Sequence, residues 1–149
     1  MLLSLAAGAL WAGVSAAAGG PMPVAHVPVS IPAGGVTISG VLTLLPAKGA
    51  HGLLPTGRAV VIAEKDANSK VWRKPRALRA TVSGSVAIAP DAGHTSWKFL
   101  KNAQAWVITF TASKPQHVSQ APTARSAVKH MTVVIDAHDG RFIRGFFTA

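Results

Sequence analysis

TVVIDAHDGRFIRG, residues 132–145, holds two of the five acidic residues of the chain, Asp136 and Asp139, beside His138 and Gly140. The stretch is either a metal loop or a backbone reversal, and the two readings lead to different molecules. Apolar residues flank it on both sides, Val133 to Ile135 before and Phe142-Ile143 after. Asp-Gly between strand-forming residues is the strongest short-range signal for a hairpin, because such turns need positive φ, which glycine adopts without a Cβ penalty. Asp136 can accept a hydrogen bond from its own backbone two residues on and so begin the turn. A calcium loop would need D-x-[DN]-x-[DN]-G and a later bidentate glutamate. Here the carboxylates are three apart, and no acidic residue follows Asp139. We therefore read Asp136, Asp139 and Gly140 as a structural turn and expect neither a metal nor another cofactor.

Working outward, period-2 alternation marks strands on both sides of this turn. Met131, Val133 and Ile135 share one face before it, and RFIRGFF (141–147) follows it. AWVITFTA (105–112) puts Trp106, Ile108 and Phe110 on one face, with Val107, Thr109 and Thr111 on the other. ATVSGSVAIAP (80–90) places Val82, Val86 and Ile88 together. VTISGVLTLL (36–45) reads as one more strand, broken at Gly40. Only LLPTGRAVVIAEKDA (53–67) has helical spacing, through Ala59, Ile62, Ala63 and Asp66. Pro55 suits a first turn there, Thr56 can cap it, and Asn68-Ser69 supplies a stop. A helix followed by successive hairpin-linked strands predicts an α+β fold: a single antiparallel sheet of about four strands with one helix packed on one face.

The N-terminal third has a different texture. MLLSLAAGALWAGVSAAA, residues 1–18, carries no charge and ends in small residues that fit a cleavage site near 16–18. It reads as a secretory signal peptide, although no Lys or Arg follows Met1. Residues 19–52 are rich in Pro and Gly and read as a linker with a short edge strand, leaving 53–149 as the folded domain. With no cysteine in the chain, disulfides and lipoprotein anchoring are both excluded. The expected location is extracytoplasmic, in or beyond a bacterial envelope.

Fifteen Lys and Arg against five Asp and Glu give a net charge of +10, all of it beyond the signal segment. Such an excess attracts polyanions, and for an exported protein anionic lipid or wall polymer is more available than nucleic acid. The cations concentrate in one segment: Lys65, Lys70, Arg73, Lys74, Arg76 and Arg79, with Trp72 among them. These seven residues form a candidate polyanion-binding surface, through counterion release and contact with the Trp72 ring. The opposing reading is a solvated connection with Trp72 tucked into the sheet edge.

Catalysis finds little support. The six histidines, at 26, 51, 94, 117, 130 and 138, form no H-x-H or H-E-x-x-H spacing. A thiol is lacking, as is a G-x-S-x-G elbow. Glu64 and Asp66 stand two apart on the helix and do not face one another.

The helix spacing of Ala59 and Ala63 in RAVVIAEKDA, the strand AWVITF with Trp106 and Phe110, and VVIDAHDG (133–140) follow one another as in PepSY domains. Over residues 53–149 the chain resembles that family of small extracytoplasmic modules, found in propeptides of secreted metallopeptidases and in stand-alone bacterial proteins. Two departures stand out: Gly57 and Arg58 occupy positions where the family favours acidic residues, and the 65–79 segment is unusually basic. The resemblance implies a non-catalytic interaction module that inhibits or chaperones a peptidase, or binds another envelope protein.

Overall fold

The computed structural model describes residues 20–38, 42–49, 51–67, 70–91, 94–116 and 127–148. The expected signal peptide and the helix stop at Asn68-Ser69 lie outside the described residues. In chain order the elements are β1 (Met22–Val24), β2 (Val36–Ile38), β3 (Leu42–Pro46), α1 (Thr56–Asp66), β4 (Trp72–Asp91), β5 (His94–Gln116), β6 (Val128–Asp136) and β7 (Phe142–Thr148).

Alternation along β5 and β6 builds the molecule, because it gives one sheet two apolar faces. Trp106, Ile108 and Phe110 of β5 lie with Met131, Val133 and Ile135 of β6 on the first face. Ala105 and Val107 lie with Val134 on the second. Both faces are covered, the first by α1 and the second by the chain before it. Ala59, Ala63 and Ala67 bring the helix close to Trp72, Trp106 and Ala137. Val27 and Ile31, between β1 and β2, close over Leu44, Val82 and Val107.

This arrangement corrects the four-strand expectation. The sheet has seven strands in the order β1 to β7, mixed rather than wholly antiparallel since β1 and β2 run parallel, and it curls strongly into a half-barrel. Three of the additional pairings come from the Pro- and Gly-rich segment that reads as a linker. Its strands are only three to five residues long, and Val36, Ile38, Leu42 and Leu44 are all fully buried. What reads as one strand over 36–45 is β2 and β3, paired antiparallel with Val36 opposite Leu44.

The second correction concerns β4 and β5. The basic segment after the helix is already strand from Trp72 on, and β5 begins at His94, well before the 105–112 stretch that alternation marks. Alternation fails at the start of β4 because of a β-bulge. Trp72 pairs with Ala112 and Arg73 with Thr111, but the next partner of β5 is Arg76, opposite Thr109. Lys74 and Pro75 are left out of the ladder, where a residue with no backbone N–H does no harm. The inserted residue resets the parity, so Arg73 and Arg76 share the second face while Trp72 and Ala77 share the first.

Helix α1 begins at Thr56 with Pro55 as its N-cap, and no side chain caps it, so Thr56 is the first helical residue rather than the cap. Lys65 in the last turn complements the helix dipole. The helix is pinned by its approach: Leu54 N–H donates to Ala137 O at 2.7 Å, and the Trp106 indole N–H donates to Leu54 O at 3.0 Å.

The β6–β7 reversal has the same tight construction. Asp136 Oδ1 accepts from the backbone N–H of His138 at 2.7 Å and of Asp139 at 3.3 Å, and Asp139 Oδ1 accepts from Arg141 N–H at 2.8 Å. Gly140 closes the loop at a φ of 75°. A Cβ at Gly140 would stand 2.6 Å from Ile62 Cδ1, so the helix presses directly on the turn.

A candidate anion-binding pocket

The second face ends in a pocket of about 370 Å³. It lies where β4 begins, β5 ends and β6 begins, beneath the chain that follows β1. Its lining is His26, Val27, Lys74, Arg76, Thr109, Thr111 and His130. Four basic side chains and two hydroxyls face one space, and no acidic residue lines it among the described residues.

Each lining residue is placed by a specific backbone feature. Thr109 and Thr111 are alternate positions of β5, and His130 is directly opposite Thr111 in the ladder. Arg76 sits opposite Thr109. The bulge puts Lys74 at the rim with a φ of 53°, a left-handed conformation that a lysine rarely takes. His26 is carried in by the β1–β2 connection, which is tied down when Arg76 Nη2 donates to Val27 O at 2.7 Å and to Pro28 O at 3.3 Å. Arg76 therefore both fixes the cover and contributes charge to the cavity.

The floor is polar but internally satisfied. Thr109 and Thr132 hydroxyls meet at 3.1 Å across β5 and β6, both buried. One hydroxyl can donate to the other and leave the second free to donate elsewhere. Among the described residues the ion pairs are His138–Asp136 at 3.5 Å and Arg141–Asp139 at 3.2 Å, both at the β6–β7 turn. Among the described residues no carboxylate pairs with Lys74 or Arg76. His130 feels the consequence. Its pKa falls below the ordinary histidine range, first because burial withdraws water from the charged form, then because His26, Arg76 and Lys129 repel an added proton.

The seven residues of the basic segment thus have different fates. Lys74 and Arg76 meet in the pocket. Lys65 is exposed at the helix end, and Lys70 and Arg73 are exposed at the start of β4. Trp72 is only 7% exposed, its ring 5.7 Å from that of Phe147 on the opposite face of the sheet, so it can offer no surface to a ligand. Arg79 also points away and hydrogen-bonds Gly49 O. Sequence reasoning missed His26, Thr109, Thr111 and His130 as partners of the two cations. The alternation of Thr109 and Thr111 is visible in the sequence, but nothing local tells that the chain near His26 folds over them.

At the turn, Asp136 and Asp139 spend their oxygens on backbone N–H groups, His138 and Arg141. No group of three or more His, Asp or Glu among the described residues is arranged to hold a metal ion. No described helix is long and apolar enough to cross a membrane. Comparison with protein families, with curated proteins and with solved structures finds no significant match to this chain.

Proposed function

We propose that the protein is an exported, non-catalytic binding module that captures anionic groups of a wall polymer or membrane lipid. The observation that carries this reading is the convergence of Lys74, Arg76, His26 and His130 on one pocket with no acidic counterpart among the described residues. Gathering like charges opposes folding, so an arrangement of this kind is characteristic of functional sites. The pocket offers positive charge and hydrogen-bond donors from Lys74, Arg76, Thr109 and Thr111, which suits the capture of an anion. The uncharged, apolar 1–18 segment supports export. Co-sedimentation of the full chain with anionic vesicles and with purified wall polymer tests the reading across a salt series. Binding should fall steeply as salt rises. Binding that ignores salt, or no binding to either, would overturn it.

A second reading, the PepSY-like regulator of a secreted peptidase or partner of an envelope protein, draws on a different observation. Among the described residues no strand pairs with the outer side of β7, and Phe142 and Phe147 on that strand are 54% and 41% exposed. An open edge with exposed aromatic rings suits strand addition by a protein partner. Inhibition of a secreted peptidase by the purified chain, lost on Phe142→Ser, would favour this reading. Undiminished peptidase activity and no partner recovered from the native envelope would remove it.

A further inference from the structure

We propose, on the basis of the anion-binding reading, that the pocket takes a terminal phosphate group: a monoester carrying close to two negative charges rather than a phosphodiester or a single carboxylate. Charge matching is the first reason. Lys74 and Arg76 supply two permanent positive charges, which a dianion neutralises and a monoanion leaves half uncompensated. Donor count is the second. A terminal phosphate presents three oxygens that only accept, and the pocket presents an ammonium, a guanidinium, the Thr111 hydroxyl and two imidazoles. Thr109 joins them when Thr132 donates to it across the 3.1 Å contact.

Size and strain point the same way. A volume of about 370 Å³ exceeds what a phosphate group alone fills, so the remainder of the ligand has room to extend along Val27. The left-handed backbone at Lys74 is part of the bulge that carries this ammonium to the rim, a local cost that a solvated surface lysine would not require.

Binding should also move a proton. Facing His130 are His26 from the β1–β2 connection, Lys74 and Arg76 at the start of β4, and Thr111 on β5; Lys129 flanks it on β6, and Thr148 of β7 pairs with it. Among the described residues the charged members are all cationic. An entering dianion reverses that field, so the imidazole gains a proton as the ligand binds.

Calorimetry on the full chain with inorganic phosphate, together with flotation on phosphatidylcholine vesicles doped with phosphatidic acid or phosphatidylglycerol at equal surface potential, tests the proposal. We expect saturable phosphate binding, weakened about tenfold or more by Lys74→Gly through loss of a charge-assisted contact. Lys74→Gly also relieves the positive φ, so its melting temperature should not fall, which separates lost binding from lost fold. Thr111→Val should weaken binding less, and His130→Gln should reduce the proton uptake measured in buffers of different ionisation enthalpy. Flotation with phosphatidic acid but not phosphatidylglycerol, competed by inorganic phosphate, identifies a lipid headgroup as the source. Phosphate binding without flotation identifies a soluble phosphorylated molecule. Equal flotation on both lipids with no saturable phosphate binding would overturn the phosphate site while leaving the general anion reading intact. Absence of binding to every probe would overturn both. Phosphate binding undiminished in Lys74→Gly would overturn the pocket as its location.

Discussion

Lys74 and Gly140 both have positive φ, and they respond to substitution in opposite directions. At Lys74 the left-handed conformation is carried by a side chain with a Cβ, at a bulge where the ladder makes no demand. Lys74→Gly should therefore leave stability unchanged or raise it by up to about 1 kcal/mol, with the lost strain partly offset by the freer unfolded chain. At Gly140 the same conformation is free of strain, and space is short: Ile62 and Leu54 close on the missing Cβ. Gly140→Ala should lower stability by about 1–3 kcal/mol, measured by urea unfolding. His130 gives a third residue-scale test, in pH. Its folded pKa lies below the unfolded one, so the unfolded chain binds more protons as pH drops. Stability from this group is complete above about pH 6.5 and declines as pH falls below that toward the folded pKa. His130→Gln should flatten this part of the stability profile, and an unchanged slope would show that the imidazole is not repelled by its neighbours.

At the scale of elements, β4 and β5 show where the sequence is informative and where it is not. The alternation in AWVITF sorts Trp106, Ile108 and Phe110 from Val107 and Thr109 without ambiguity, and Ala59 and Ala63 mark the buried side of α1 by spacing alone. The first residues of β4 cannot be read this way, because the bulge at Lys74-Pro75 shifts the period and six cations in fifteen residues imitate a solvated loop. β1 to β3 are harder still: strands this short are defined by their partners, and Leu44 is buried because Val82 and Val36 flank it. Within the site, Lys74 and Arg76 announce themselves as charge, but His26 reaches them only through tertiary folding. The pairing of β5 with β6 makes its own prediction. Thr109→Val should cost about 1–2 kcal/mol by leaving the buried Thr132 hydroxyl without a partner, whereas Thr109→Val with Thr132→Val should recover most of that loss in a double-mutant cycle.

Across the whole molecule, two apolar faces on one curled sheet explain why a chain with no cysteine can hold a fold, and why the N-terminal strands matter to it. α1 seals the first face; Val27, Ile31 and the short strands seal the second. The pocket exists because that second cover stops before the end of the sheet, leaving Thr109, Thr111 and His130 facing an opening rimmed with Lys74 and Arg76. On the proposed reading, a net charge of +10 would draw anionic partners toward this surface, while the pocket would select which of them is held. These two contributions separate experimentally, since long-range attraction is screened by salt and contacts within the cavity are screened less.

The most direct measurement is the affinity of the full chain for anionic vesicles and inorganic phosphate beside that of a Lys74→Gly, Thr111→Val variant, at low and at physiological salt. We expect a folded variant that retains weak, salt-sensitive attraction to vesicles but loses saturable phosphate binding. A folded variant that binds both as the parent does would contradict this expectation.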